Sequence, residues 1–161
     1  MIPLEIGNLA VSRPPDWGLA LGVSTARFAA STFTDTFDAR THVRKFTDAT
    51  LAEWDVSRHQ GREDVLAVAW ELAANAIQHS LRPPARHRRG EAWLGLARKD
   101  GAVVCAVTDP SPSLPQRRPH KLLDESGRGL LVVTRLSTAW GWSLSPSGTK
   151  TVWARVPAPT R

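Results

Sequence analysis

The chain has 161 residues, 42% of them hydrophobic and 22% charged, which suffices for one filled core and is too short for two comfortable domains. Cys105 is the only cysteine, so an intrachain disulfide and a thiolate zinc cluster are both excluded, and the five histidines show no metal-type spacing with carboxylates. A net charge of +6 is concentrated in RPPARHRRG (82–90) and QRRPHK (116–121), but no helix-turn-helix, zinc-finger or RNP-like motif accompanies these runs, which disfavours nucleic acid as a partner.

Residues 1–24 hold Pro3, Pro14, Pro15 and Gly18 without a sustained period and read as an irregular arm, with a single domain over 25–161. Arg27 interrupts LALGVSTARFAA and no stretch reaches the apolar length of a membrane span, so neither an export signal nor a membrane partner is expected and a cytoplasmic location is. TARFAASTF (25–33) reads as a strand. From Asp38 to Trp54, Val43, Phe46, Ala49 or Thr50, and Trp54 recur at helical spacing, with Asp38 available as a cap.

A second helix spans 62–81 and stops at Pro83-Pro84. EAWLGLARK and AVVCAVTD follow as strands, joined by Asp100-Gly101, a strong two-residue hairpin signal. The Pro/Ser/Arg segment from Pro110 to Gly129 is longer than an ordinary connection in a compact domain. RGLLVVTRLSTAW (128–140) reads as a third helix and GWSLSPSGTKTVWARV as a closing hairpin through 146–148. This order predicts an α+β fold, a two-layer sandwich in which about three helices cover one face of a mixed or antiparallel sheet.

On the second helix Glu71, Asn75, Gln78 and His79 form one polar stripe, opposite Leu66, Ala69, Ala73, Ala76 and Ile77. A solvent face normally mixes Lys and Glu at i, i+4, whereas this stripe has no cation, and Asn is a poor mid-helix residue unless its side chain has a task. Glu71 and Asn75 one turn apart offer a general base and a magnesium ligand together. Asp109 ends an apolar strand in VTDPS, where it is either a turn residue or a rigidly held acceptor. In ESGRGLLVV, Gly127 and Gly129 precede an apolar helix, so its free N–H groups can face an anion with Arg128 beside them.

With these residues in order, the chain resembles the GHKL (histidine-kinase-like) ATPase superfamily, and within it the small anti-sigma-factor serine/threonine kinases, over roughly residues 25–156. ELAANAIQH is similar to the N box, VTDPSPS to the G1 box, SGRGLLVV to the G2 box and GTKTVWA to the final Gly-Thr element. The implied fold is the Bergerat-type sandwich with a long ATP lid, and the implied cofactors are ATP and Mg²⁺. Glu71 is implied as the catalytic group that orients or deprotonates the attacking hydroxyl, and Asn75 as the Mg²⁺ ligand. Asp109 would accept the adenine amino group with Thr149 in support, while Gly127, Arg128, Gly129 and Leu130 would form the phosphate-side binding segment. His79 fits a structural hydrogen bond as well as a phosphate contact.

The G1 pattern departs from Asp-x-Gly-x-Gly, with Ser111 and Ser113 in place of the glycines and Pro110, Pro112 and Pro115 stiffening the turn. The resemblance implies a STAS-type anti-anti-sigma protein as substrate, a sigma factor as a further partner, and a homodimer. The competing expectation is a non-catalytic regulatory binding protein with a degenerate nucleotide site.

Overall fold

The computed structural model describes residues 24, 27–59, 61–81, 90–110, 125–144 and 148–159. The expected N-terminal arm, all but Ser24, and the greater part of the long segment after Asp109 lie outside the described residues, as do Pro83 and Pro84.

Five strands form one antiparallel sheet in the order β1-β2-β3-β5-β4, where β1 is Phe28–Phe33, β2 Ala92–Lys99, β3 Ala102–Asp109, β4 Ala139–Leu144 and β5 Lys150–Pro157. Asp100 and Gly101 both take positive φ, 52° and 69°, the pairing of backbone conformations that a tight β2–β3 hairpin demands. Because side chains alternate across a strand, register decides which residues line the core. Leu94 and Leu96 of β2, Val103, Cys105 and Val107 of β3, and Val152, Ala154 and Val156 of β5 all point to one face and are buried there.

Among the described residues three helices cover that face: α1, Ala39–Glu53; α2, Arg62–Ala76; and α3, Glu125–Leu136. Val65, Leu66, Val68, Ala69, Leu72, Ala73 and Ala76 of α2 are buried, and the helix packs over β2, β3 and β5 with α1 and α3 against its flanks. Its alanines are what let a helix sit this close to a sheet. Each fully buried Leu or Val here contributes roughly 1.5–3 kcal/mol by leaving water.

Gly61 sets the entry to α2. It adopts φ +83°, and a Cβ there would lie 2.3 Å from the carbonyl oxygen of Pro157, so only glycine fits between the helix start and the end of β5. Just inside, the buried Arg62 donates from Nε to Asp48 Oδ1 at 2.9 Å and from a terminal nitrogen to the Asp48 carbonyl at 3.1 Å, which ties α2 to α1.

Three expectations are corrected. The helix expected over 62–81 is α-helical only to Ala76, and Ile77–Leu81 form a π-helical turn. The wider turn rotates His79 out of the i, i+4 stripe, and Gln78 and His79 are exposed while Glu71 and Asn75 are half-buried. The helix expected over 128–140 runs from Glu125 to Leu136 instead, because helix first turns tolerate polar residues and give no apolar period, while Trp140 and Trp142 pair with β5 as strand residues. Asp38 stands at the N-cap position of α1 without capping it: its carboxylate accepts from Thr36 Oγ1 at 2.8 Å, and this hydrogen bond holds its pKa below the ordinary aspartate value. The sheet is antiparallel throughout, as one of the two expected alternatives had it.

Candidate nucleotide site

The N-box and G2-box segments meet where α2 packs on α3. A Cβ built on Gly129 would lie 2.8 Å from Glu71 Oε2, so the carboxylate rests directly against the early turns of α3 at a place where any side chain would displace it. Gly127 and Gly129 are thus within the helix rather than before it, near the end where backbone N–H groups lack intrahelical partners and favour anions. Leu130 is buried and its carbonyl accepts the Thr134 hydroxyl at 2.7 Å, which anchors the segment; the Arg128 side chain lies outside what is described.

Burial pushes the Glu71 carboxyl above its ordinary value, and the charge of Arg40 opposes the shift only in part. Arg40 itself is held over the Trp70 ring, 5.4 Å from its centroid. A half-buried glutamate raised in this way is a stronger base than a solvated one. The Asn75 side chain, one turn further along α2, makes no hydrogen bond to the described residues, so its amide oxygen is available to a ligand.

The other half of the site is built by β3 and β5. Asp109 and Lys150 are directly opposed in register, and Lys150 Nζ lies 3.5 Å from Asp109 Oδ2 with both side chains 2% exposed. They extend the inner row formed by the pairs Val103 with Val156, Cys105 with Ala154 and Val107 with Val152. On the reverse face the Thr108 and Thr151 hydroxyls hydrogen-bond at 2.8 Å and fix the same register. Thr149 directly precedes Lys150, follows Gly148 at φ +86°, and is half-buried.

Lys150 was missed from the sequence. Its signal was the period-2 alternation of KTVWARV, which puts Lys150 on the face of Val152, Ala154 and Val156. Removing either partner of such a buried pair costs roughly 3–5 kcal/mol, because the remaining charge stays buried and uncompensated.

The structure therefore joins Glu71 to Gly129 and Asp109 to Lys150, and it sets both pairs along α2 and the strands that α2 covers. Among the described residues no group of three or more His, Cys, Asp or Glu could hold a metal on its own. The donor set fits a magnesium nucleotide nevertheless, since Mg²⁺ takes one or two protein oxygens and completes its shell from phosphates and water.

An α+β sandwich with a carboxylate and an amide on its central helix, a glycine-bearing helix start against the carboxylate and a buried acid at a strand end defines the class of a nucleotide-binding domain. A family model for histidine kinase-like ATPase domains matches residues 33–155, and the chain belongs to that family. A search of curated proteins gives no significant match. No described helix is long and apolar enough to cross a membrane.

Proposed function

We propose that this chain is an ATP- and Mg²⁺-dependent serine/threonine protein kinase, acting as an anti-sigma factor or in a partner-switching cascade, with a STAS-type anti-anti-sigma protein as its substrate. The observation that carries the proposal is the contact between Glu71 and Gly129, which sets a carboxylate of raised basicity beside the anion-favouring start of α3.

In this reading Asn75 supplies an amide oxygen to Mg²⁺, and the backbone of Gly127 to Leu130 receives the phosphates. Asp109 accepts the exocyclic amine of the base, with Thr149 beside it. Mg²⁺ neutralises charge on the transferring phosphoryl group when bound. Glu71 orients the substrate hydroxyl and takes its proton, and the rest is positioning. Binding of a sigma factor, formation of a homodimer and work in the cytoplasm belong to the same proposal.

One sequence observation favours a second reading, a regulator that holds its partners without phosphorylating them: Ser111 and Ser113 stand where the G1 box has glycines. Transfer of the γ-phosphoryl group from labelled ATP to a STAS-type protein decides between the two. Labelled substrate is expected. ATP binding without any transfer would leave the regulator, and no ATP binding would remove the kinase reading.

A further inference from the structure

We infer that Lys150 is a positioning residue of the base subsite, which sets a preference for a 6-amino purine by keeping the Asp109 carboxylate ionised and oriented. The inference deepens the nucleotide reading of this site and rests on it.

The inner row of β3 and β5 is apolar through three successive cross-strand pairs and becomes charged only at the fourth, Asp109 with Lys150. Stability does not explain the change, since a buried ion pair is often no better than well-packed hydrophobic residues of the same volume. The change coincides with the end of the strand where a base acceptor is required.

A buried carboxylate has about four lone-pair sites. Lys150 takes up one of these sites, at Oδ2, 3.5 Å away, and an exocyclic amine would use another. Burial penalises the charged form of an acid only 2% exposed, and the ammonium beside it favours that form. A neutral carboxylic acid both donates and accepts, so it tolerates a 6-oxo base as readily as a 6-amino one. Discrimination between the two is therefore a property of the pair and not of Asp109 alone.

The register that brings the pair together is itself pinned from the opposite face by the 2.8 Å contact between the Thr108 and Thr151 hydroxyls. Lys150 thus has little freedom to leave the carboxylate, and its side chain is 2% exposed.

The test is calorimetric titration of the full chain with the magnesium salts of ATP and of inosine triphosphate, which differ at the 6-position. The wild-type chain should prefer ATP by about tenfold or more, the size of one hydrogen bond to a charged acceptor. Lys150→Met should bring the ratio of the two affinities to within about threefold of unity, and Lys150→Arg should retain the preference by keeping the charge. Equal weakening of both nucleotides in Lys150→Met, with the ratio unchanged, would reduce Lys150 to a structural role and overturn the inference while ATP binding stood. If the wild-type chain bound neither nucleotide, the reading of the site would fall first and this inference with it. Should Lys150→Met not fold by circular dichroism, Lys150→Gln replaces it with the same two outcomes, since its amide donates without carrying charge.

Discussion

Gly129 and Glu71 occupy the same small volume: a methyl group on one would sit 2.8 Å from the carboxylate oxygen of the other. Gly129→Ala must therefore move either the carboxylate or the start of α3. Alanine is the better helix former by roughly 1 kcal/mol, so helix propensity opposes part of the steric cost. The expected result is a folded protein whose melting temperature changes little and whose nucleotide affinity falls at least about tenfold. Titration with Mg·ATP checks this, and undiminished affinity would show that the Glu71–Gly129 contact is incidental to binding.

Glu71 also makes a prediction about pH. Its folded carboxyl is shifted upward, chiefly by burial, so the folded state holds a proton more tightly than the unfolded chain does. Stability from this group is then present below the ordinary glutamate value of 4.5 and is lost as pH rises through the higher folded value. Glu71→Gln should accordingly raise the melting temperature at pH 7 to 8, with the gain disappearing below about pH 4. The gain should be small, because half the side chain is solvated and screened. Nucleotide binding should survive in this variant while phosphoryl transfer is lost, and transfer at the wild-type rate would remove Glu71 from the catalytic role.

Local signals carried much of this architecture and failed where two distant segments meet. The Asp100-Gly101 turn, the apolar stripe of α2 and the alternation in β3 are each a property of one short segment, and each could be read without its neighbours. The start of α3 could not, since its first turn has no apolar period and the signal begins only at Leu130. Nor could the Asp109–Lys150 pair, because the β3–β5 register joins residues 41 positions apart and that register is a tertiary fact. Thr149 was the expected support for Asp109 on motif grounds, and the buried ammonium one residue later came into view only with the sheet assembled. The π turn at Ile77–Leu81 has the same character: its residues would continue an α-helix by propensity, and nothing in them announces the wider turn.

Asn75→Ala separates folding from binding. Its side chain is half-buried and makes no hydrogen bond to the described residues, and alanine has the higher helix propensity, so the variant should be as stable as the parent or slightly more so. If its amide oxygen holds Mg²⁺, the magnesium dependence of ATP binding should vanish. Calorimetry with and without magnesium measures it directly, and a folded variant with unchanged magnesium dependence would sink the assignment.

Cys105 should be inert in the native chain. It is fully buried in β3, and burial pushes its thiol up to about 12, so almost no thiolate exists at pH 8. Alkylation by iodoacetamide at that pH should proceed only through unfolding, at a rate that rises with denaturant. Rapid labelling of the folded protein would contradict the burial of the central strand.

Two glycines with similar backbone angles should respond very differently to the same substitution. Gly61 has φ +83° and Gly101 has φ +69°, so alanine at either position carries the left-handed penalty of roughly 1–2 kcal/mol. At Gly101 nothing lies within 4 Å of the added methyl, and the penalty is the whole cost. At Gly61 the methyl would meet the Pro157 carbonyl oxygen at 2.3 Å and the Ala158 Cα at 2.9 Å, both backbone atoms that cannot rotate away. Relief requires α2 to lift from the end of β5, and α2 is the helix that carries Glu71 and Asn75. Gly61→Ala should thus cost about 3 kcal/mol or more, lowering the melting temperature by roughly 6–12 °C or more, against about 2–8 °C for Gly101→Ala. It should also weaken nucleotide binding at temperatures where the variant is still folded, which Gly101→Ala should not do. Equal shifts in both variants would mean that the start of α2 is not wedged against β5, and the coupling drawn here between that junction and the site would fail.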